Sequence, residues 1–143
     1  MSRKQLAFLA APIAAWLVSS CASMPSDAYV VQDDPGTVEH VEGSDLGTVH
    51  LADGAEQRLR LATTVVSRNG KHLVVPDSAI FVDPDGIWWV YTNPDRGVFV
   101  RHEIGLVRQH DGRALLSSGP EVGTHVVTVG VAELYGIEAE VGH

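Results

Sequence analysis

Hydrophobic and polar positions divide this chain into three stretches. The first runs from two cations, Arg3 and Lys4, into an apolar segment from Leu6 to Val18 that Pro12 interrupts, and ends in Ser19-Ser20-Cys21. The second, Ala22 to Gly36, holds Ser, Pro, Asp and Gly with Tyr29-Val30-Val31 as its apolar cluster, and it reads as a tether. In the third, short alternating segments are separated by residues that adopt turn dihedrals cheaply: Asp83 to Gly86, Asn93 to Gly97, His110 to Gly112 and Gly119 to Gly123. The intervening segments Ile87 to Thr92, Val98 to Gln109, Arg113 to Ser117 and His125 to Val129 are predicted strands in a meander of hairpins. In Val98 to Leu106 the even positions Val98, Val100, Ile104 and Leu106 are apolar, with His102 as the exception, which is the period of a half-buried strand.

Upstream, Gly47 to Leu51 and Thr63 to Ser67 are further predicted strands. Leu73 to Val75 begins another that Pro76 interrupts, which favours an edge or a bulge there. Asp53 to Leu59 has the composition of a short helix capped by Asp53, and Val131 to Gly136 that of a second helical turn ended by Gly136. Gly47 to Leu51 cannot bury its apolar face alone, so it is expected to pair with strands from the C-terminal half. The fold class is mainly β: a small meander or barrel-like domain with one or two short helical turns.

The N-terminal stretch has the layout of an export signal. Its apolar run falls short of the ~20 residues needed to cross a bilayer core. Val18-Ser19-Ser20-Cys21 resembles a bacterial lipobox, in which small residues precede a cysteine whose thiol takes a diacylglycerol. The expected organisation is a lipoprotein signal peptide over residues 1–20, a flexible tether over 21–36 and a β domain over 37–143. Lipidation is assigned to Cys21, and the domain to the extracytoplasmic face of a bacterial membrane. Cys21 is the only cysteine in the sequence, so no intrachain disulfide forms. Removing residues 1–20 takes away Arg3 and Lys4 and no acid, moving the formal charge from −8 to −10. Such an acidic chain argues against nucleic acid as a partner.

The chemistry-bearing residues do not gather into a known catalytic pattern. His40, His50, His72, His102, His110, His125 and His143 lack the close spacing of a metal site, although strand pairing would be able to join His102 and His125. The acids fall mainly in turns and tails, and Asp83 to Gly86 reads as hairpin chemistry, too short for an EF-hand. Ser117, Ser118 and Thr124 read as turn-forming hydroxyls. No nucleophile elbow, P-loop or dinucleotide fingerprint occurs. The expectation is a non-enzyme without cofactor or metal. Trp88 and Trp89 stand out, because neighbours in a strand face opposite sides and a one-layer core takes only one indole. The other is expected at the surface as a partner-binding anchor.

Val75 to Ile80, Trp89 to Tyr91, Phe99 to Ile104 and Gly119 to Gly130, closed by Ala132-Glu133-Leu134, follow in order a pattern that resembles the membrane-proximal, C-terminal region of periplasmic adaptor subunits of efflux systems, the membrane fusion protein family. The likeness spans residues 73 to 136, with a vaguer match over Val49 to Thr63. Thr63 and Leu73 are ten positions apart, leaving no room for the barrel, lipoyl-like domain and helical hairpin of a full adaptor. The resemblance implies an isolated membrane-proximal β module, anchored by lipid and binding a membrane transporter or its adaptor. The alternative is an extracytoplasmic binding protein for a small ligand or metal ion. A contiguous exposed apolar patch around Trp88 or Trp89 would favour the first, and a closed pocket with converging histidines or acids the second.

Overall fold

Strands dominate because β-branched and aromatic residues recur at period two between glycine-containing turns. The computed structural model describes residues 34–40, 42 and 46–141. Cys21, residues 1–20 and most of the expected tether lie outside them. Eleven strands appear among the described residues: β1 (Gly36–His40), β2 (Gly47–Leu51), β3 (Ala62–Val65), β4 (Ser67–Asn69), β5 (His72–Pro76), β6 (Ile80–Val82), β7 (Trp88–Asp95), β8 (Val98–Glu103), β9 (Gly105–His110), β10 (Arg113–Ser118) and β11 (His125–Val129). A one-turn helix α1 (Ala55–Arg58) follows β2, a 3-10 turn spans Asp77–Ala79, and helix α2 (Val131–Val141) follows β11. None of these helices is long and apolar enough to cross a membrane.

The fold is mainly β, but its strands form two open antiparallel sheets and not a closed barrel. The larger has the order β1-β2-β8-β7-β11-β3, with β6 also paired to β7; the smaller has the order β4-β5-β10-β9. As expected from its lone apolar face, β2 pairs with the C-terminal half, Val49 opposite Phe99 on β8.

Both faces of the larger sheet are covered. Val90 and Val126 face the smaller sheet, meeting Val75, Ala114 and Leu116, with Trp88 packed on the same cluster. Tyr91, Phe99 and Val127 face the other way, against Leu134 and Ile137 of α2. The order of layers is therefore small sheet, large sheet, helix. Alternation sends successive residues to opposite cores, which is why Val126 and Val127 are both fully buried.

Several local expectations change. The predicted strand Val98 to Gln109 is two strands in different sheets. Ile104 is the crossing point: its N–H donates to the Trp88 carbonyl at 2.9 Å and its side chain is buried in the inter-sheet core. Thr63 to Ser67 likewise divides at the buried Val66 into β3 and β4. The Asn93 to Gly97 turn shrinks, because β7 continues through Pro94 to Asp95 over an irregular register. Asn93 stabilises that irregularity by donating from Nδ2 to the carbonyls of Asp95 and Val98. Pro76 ends β5 opposite Arg113, one side of it lying beyond the β4 pairing, so its missing N–H disrupts nothing on that side. Asp53 does not cap α1; Gly54, at φ 76°, occupies the N-cap with no side-chain cap. α2 does not stop at Gly136 but runs on through Ile137 and Glu138, whose packing outweighs the weak helix propensity of glycine.

Candidate functional site

The most conspicuous polar constellation lies between α2 and the large sheet. Glu138, extended from α2, is only 7% exposed. Its Oε1 accepts from the Gly47 N–H at 3.2 Å and from Arg101 Nε at 2.9 Å, and its Oε2 accepts from the Tyr91 hydroxyl. Register explains the convergence, since Tyr91 on β7 stands directly opposite Arg101 on β8. Trp89, two residues before Tyr91, shares its face and lies beneath the Arg101 guanidinium, whose carbon is 4.7 Å from the indole centroid. The Trp89 Nε1–H donates to Asp83 Oδ2 at 2.8 Å.

Asp83 also organises the β6–β7 hairpin, its Oδ1 accepting from the N–H groups of Asp85 and Ile87 at 3.0 and 2.9 Å. Partial desolvation pushes its carboxyl upward, but these backbone donors, the indole and the Arg101 charge together outweigh it. The net effect holds Asp83 below the usual carboxylate range. Burial, reinforced by the hydrogen bond to Glu138 and by its charge, drives the Tyr91 phenol far above its ordinary range. Tyr91 is thus a neutral donor to a buried acceptor. Phe81 stacks on Tyr91 with centroids 5.2 Å apart and an 11° interplanar angle, and Tyr135 packs on Phe81 in turn.

Beside this network an open cleft of about 310 Å³ is lined by Leu46, Asp83, Pro84, Asp85, Ile87, Trp89, Arg101 and Tyr135. The fully buried Tyr91 does not reach it. Arg101 does line it, and the contacts of Glu138 with Tyr91, Arg101 and Gly47 fasten α2 to the sheet.

The tryptophans require a correction. Trp89 is 8% exposed and Trp88 is half-buried against the inter-sheet core, so neither indole stands fully at the surface as a one-layer core would require. A sheet with two covered faces accommodates both indoles, whereas a one-layer core would have expelled one. Among the described residues the exposed large apolar side chains are instead Val65, Val82, Ile87, Val107, Val122 and Val129. Val65 on edge strand β3 stands opposite His125, and Val129 on β11 stands opposite Ala62, at the two ends of the β3–β11 pairing. Val122 is near the Val65 end, because the Gly123 N–H donates to the Val66 carbonyl at 2.9 Å.

His102 and His125 are not joined: they lie on β8 and β11, which β7 separates. The described residues contain no group of three or more potential metal ligands. Asp83 to Gly86 is a hairpin turn, as its sequence suggested. Glu138 and Arg101 were missed as partners. Running the helix past Gly136 would have revealed Glu138, since Val131, Leu134 and Glu138 then share a face.

No family model matches the chain, and no curated protein matches it.

Proposed function

We propose that this chain is a non-catalytic, lipid-anchored module that binds a membrane transporter or its adaptor subunit on the extracytoplasmic side. Its lipid is carried by Cys21. The observation that carries the reading is the adjacency of the segments resembling an adaptor's membrane-proximal region. Val75 to Ile80 leads into β6, which pairs with β7 through Ile80 and Val90; Tyr91 on β7 opposes Arg101 on β8; and Val126 on β11 opposes Thr92 on β7. Four separated pieces of sequence thus make one surface-bearing unit.

The principal ionisable cluster supports the same reading, because the buried Glu138 and Tyr91 are engaged in contacts that hold α2 to the sheet. Protein contact is assigned to the β3 edge, where Val65, Val122 and Val129 are about half exposed (48%, 49% and 50%) beside backbone with one unpartnered side among the described strands. An extended segment of the transporter or adaptor would add to this edge, main-chain hydrogen bonds giving affinity and the valines giving apolar contact.

Affinity purification from detergent-solubilised membranes, read by quantitative mass spectrometry, tests the assignment. A transporter or adaptor subunit should be enriched with the native chain and reduced with Val65→Arg/Val129→Arg, whose exposed positions leave the thermal transition nearly unchanged. Equal recovery with both chains would reject the β3 edge, and recovery of neither class of protein would reject the function.

A further inference from the structure

Positive charge is gathered on one sheet of this acidic chain. Of its ten Lys and Arg, Arg3 and Lys4 precede Cys21, and four of the other eight, Arg68, Lys71, Arg108 and Arg113, belong to the two hairpins of the small sheet. Those hairpins, residues 67–76 and 105–118, contain one of the chain's eighteen acids, Asp111. It lies in the β9–β10 turn with Oδ2 2.9 Å from His110 Nε2. All four cations are exposed. The rest of the chain beyond residue 20 holds the other seventeen acids against four cations.

Alternation and register place Arg108 and Arg113 on the outer face, with Lys71 in the β4–β5 turn, whereas Arg68, opposite the inward Leu73, shares the inner face. Ala114 and Leu116 are buried in the inter-sheet core, so Arg113 and Leu115 point outward. Arg113 stands opposite His110 and Leu115 opposite Arg108 on β9, while Pro76 and Val74 oppose the same two residues from β5. The face has an apolar centre, Val74 and Leu115, with arginines beside it. An open groove of about 410 Å³ crosses it, lined by Asn69, Arg108, His110, Asp111, Arg113 and Leu115.

We propose that the outer face of the β4-β5-β10-β9 sheet docks on an anionic phospholipid bilayer, with Arg108, Arg113 and Lys71 meeting headgroup phosphates. Guanidinium groups suit this role, because their planar fork matches phosphate oxygens and they are weakly hydrated. Charge complementarity selects this occupant. The acids elsewhere are repelled by the same surface, so the field of the whole molecule turns the small sheet toward the bilayer. The proposal takes its setting from the membrane-anchored reading, yet its electrostatics do not depend on lipid at Cys21.

Amide hydrogen exchange of the full chain on vesicles tests it, comparing phosphatidylcholine alone with a phosphatidylglycerol-rich mixture. Amides of residues 67–76 and 105–118 should exchange roughly tenfold more slowly on the anionic vesicles. The difference should fade in ~1 M salt, where the screening length falls to about 3 Å. Arg108→Glu/Arg113→Glu should abolish it, and Lys71→Glu, in an exposed turn, should weaken it if the double variant fails to fold. Equal exchange on the two vesicles, or protection that survives charge reversal, would overturn the proposal. So would protection of this face by an acidic protein but not by anionic vesicles. A chain held on vesicles with this sheet unprotected would remove the docking face and leave the anchor standing; protection of this sheet together with a native N-terminus found unlipidated would do the reverse.

Discussion

Glu138 shows how one side chain sets the architecture, and its donor Tyr91 how that architecture responds to pH. A carboxylate this deeply buried is tolerable only because Arg101, Tyr91 and the Gly47 N–H all donate to it. Glu138→Ala leaves Arg101 without that partner in a position only 12% exposed, and should cost about 3–5 kcal/mol in chemical denaturation. Tyr91→Phe removes one donor and should cost about 1–3 kcal/mol. It should also change the pH profile in a defined direction. The folded phenol is raised above its ordinary value of 10.0, so the stability it contributes is complete below that pH and is lost as pH rises beyond it. Denaturation midpoints measured across the alkaline range should therefore fall less steeply in Tyr91→Phe than in the native chain. Equal slopes would show that Tyr91 is not the titrating group.

At the level of elements, two glycines flanking and inside α2 have opposite uses. Gly130 sits at φ 90° immediately before the helix, and a Cβ there would lie 1.9 Å from Leu61 Cδ2. Gly130→Ala should therefore destabilise by at least the ~1–2 kcal/mol of a left-handed residue. Gly136 lies within the helix with no atom near enough to obstruct a Cβ, so Gly136→Ala should stabilise by about 0.5–1 kcal/mol. Thermal melts of the two variants should move in opposite directions; a destabilised Gly136→Ala would restore Gly136 as a helix terminator. Strand positions and hairpin turns were legible because period-two alternation and turn glycines are local signals, as at Gly47 to Leu51 and Asp83 to Gly86. The break at Ile104 was not, because the alternation of Val98, Val100, Ile104 and Leu106 passes through a change of sheet without faltering. The length of α2 was hidden for a related reason: glycine ends a helix only where packing beyond it is absent, and Ile137 and Glu138 are both buried.

On the scale of the whole molecule, covering both faces of the large sheet decides what the surface can offer. It draws Trp88 and Trp89 inward, assigns the acidic network to holding α2, and leaves valines at the β3 edge and arginines on the small sheet as the features facing outward. Under the proposed function those surfaces serve a module displayed beside a membrane, and that proposal rests on lipid at Cys21. The pairing partners of Glu138 and the charge segregation of the small sheet needed the fold to become visible, whereas the lipobox-like Val18 to Cys21 is a resemblance in sequence alone, outside the described residues. Mass spectrometry of the N-terminal peptide from the membrane-extracted native chain puts the proposal to its most direct test. The peptide should begin at Cys21 and carry a thioether-linked diacylglycerol, and Cys21→Ala should yield an unprocessed or soluble exported chain. A native N-terminus without lipid, or one that retains residues 1–20, would contradict it.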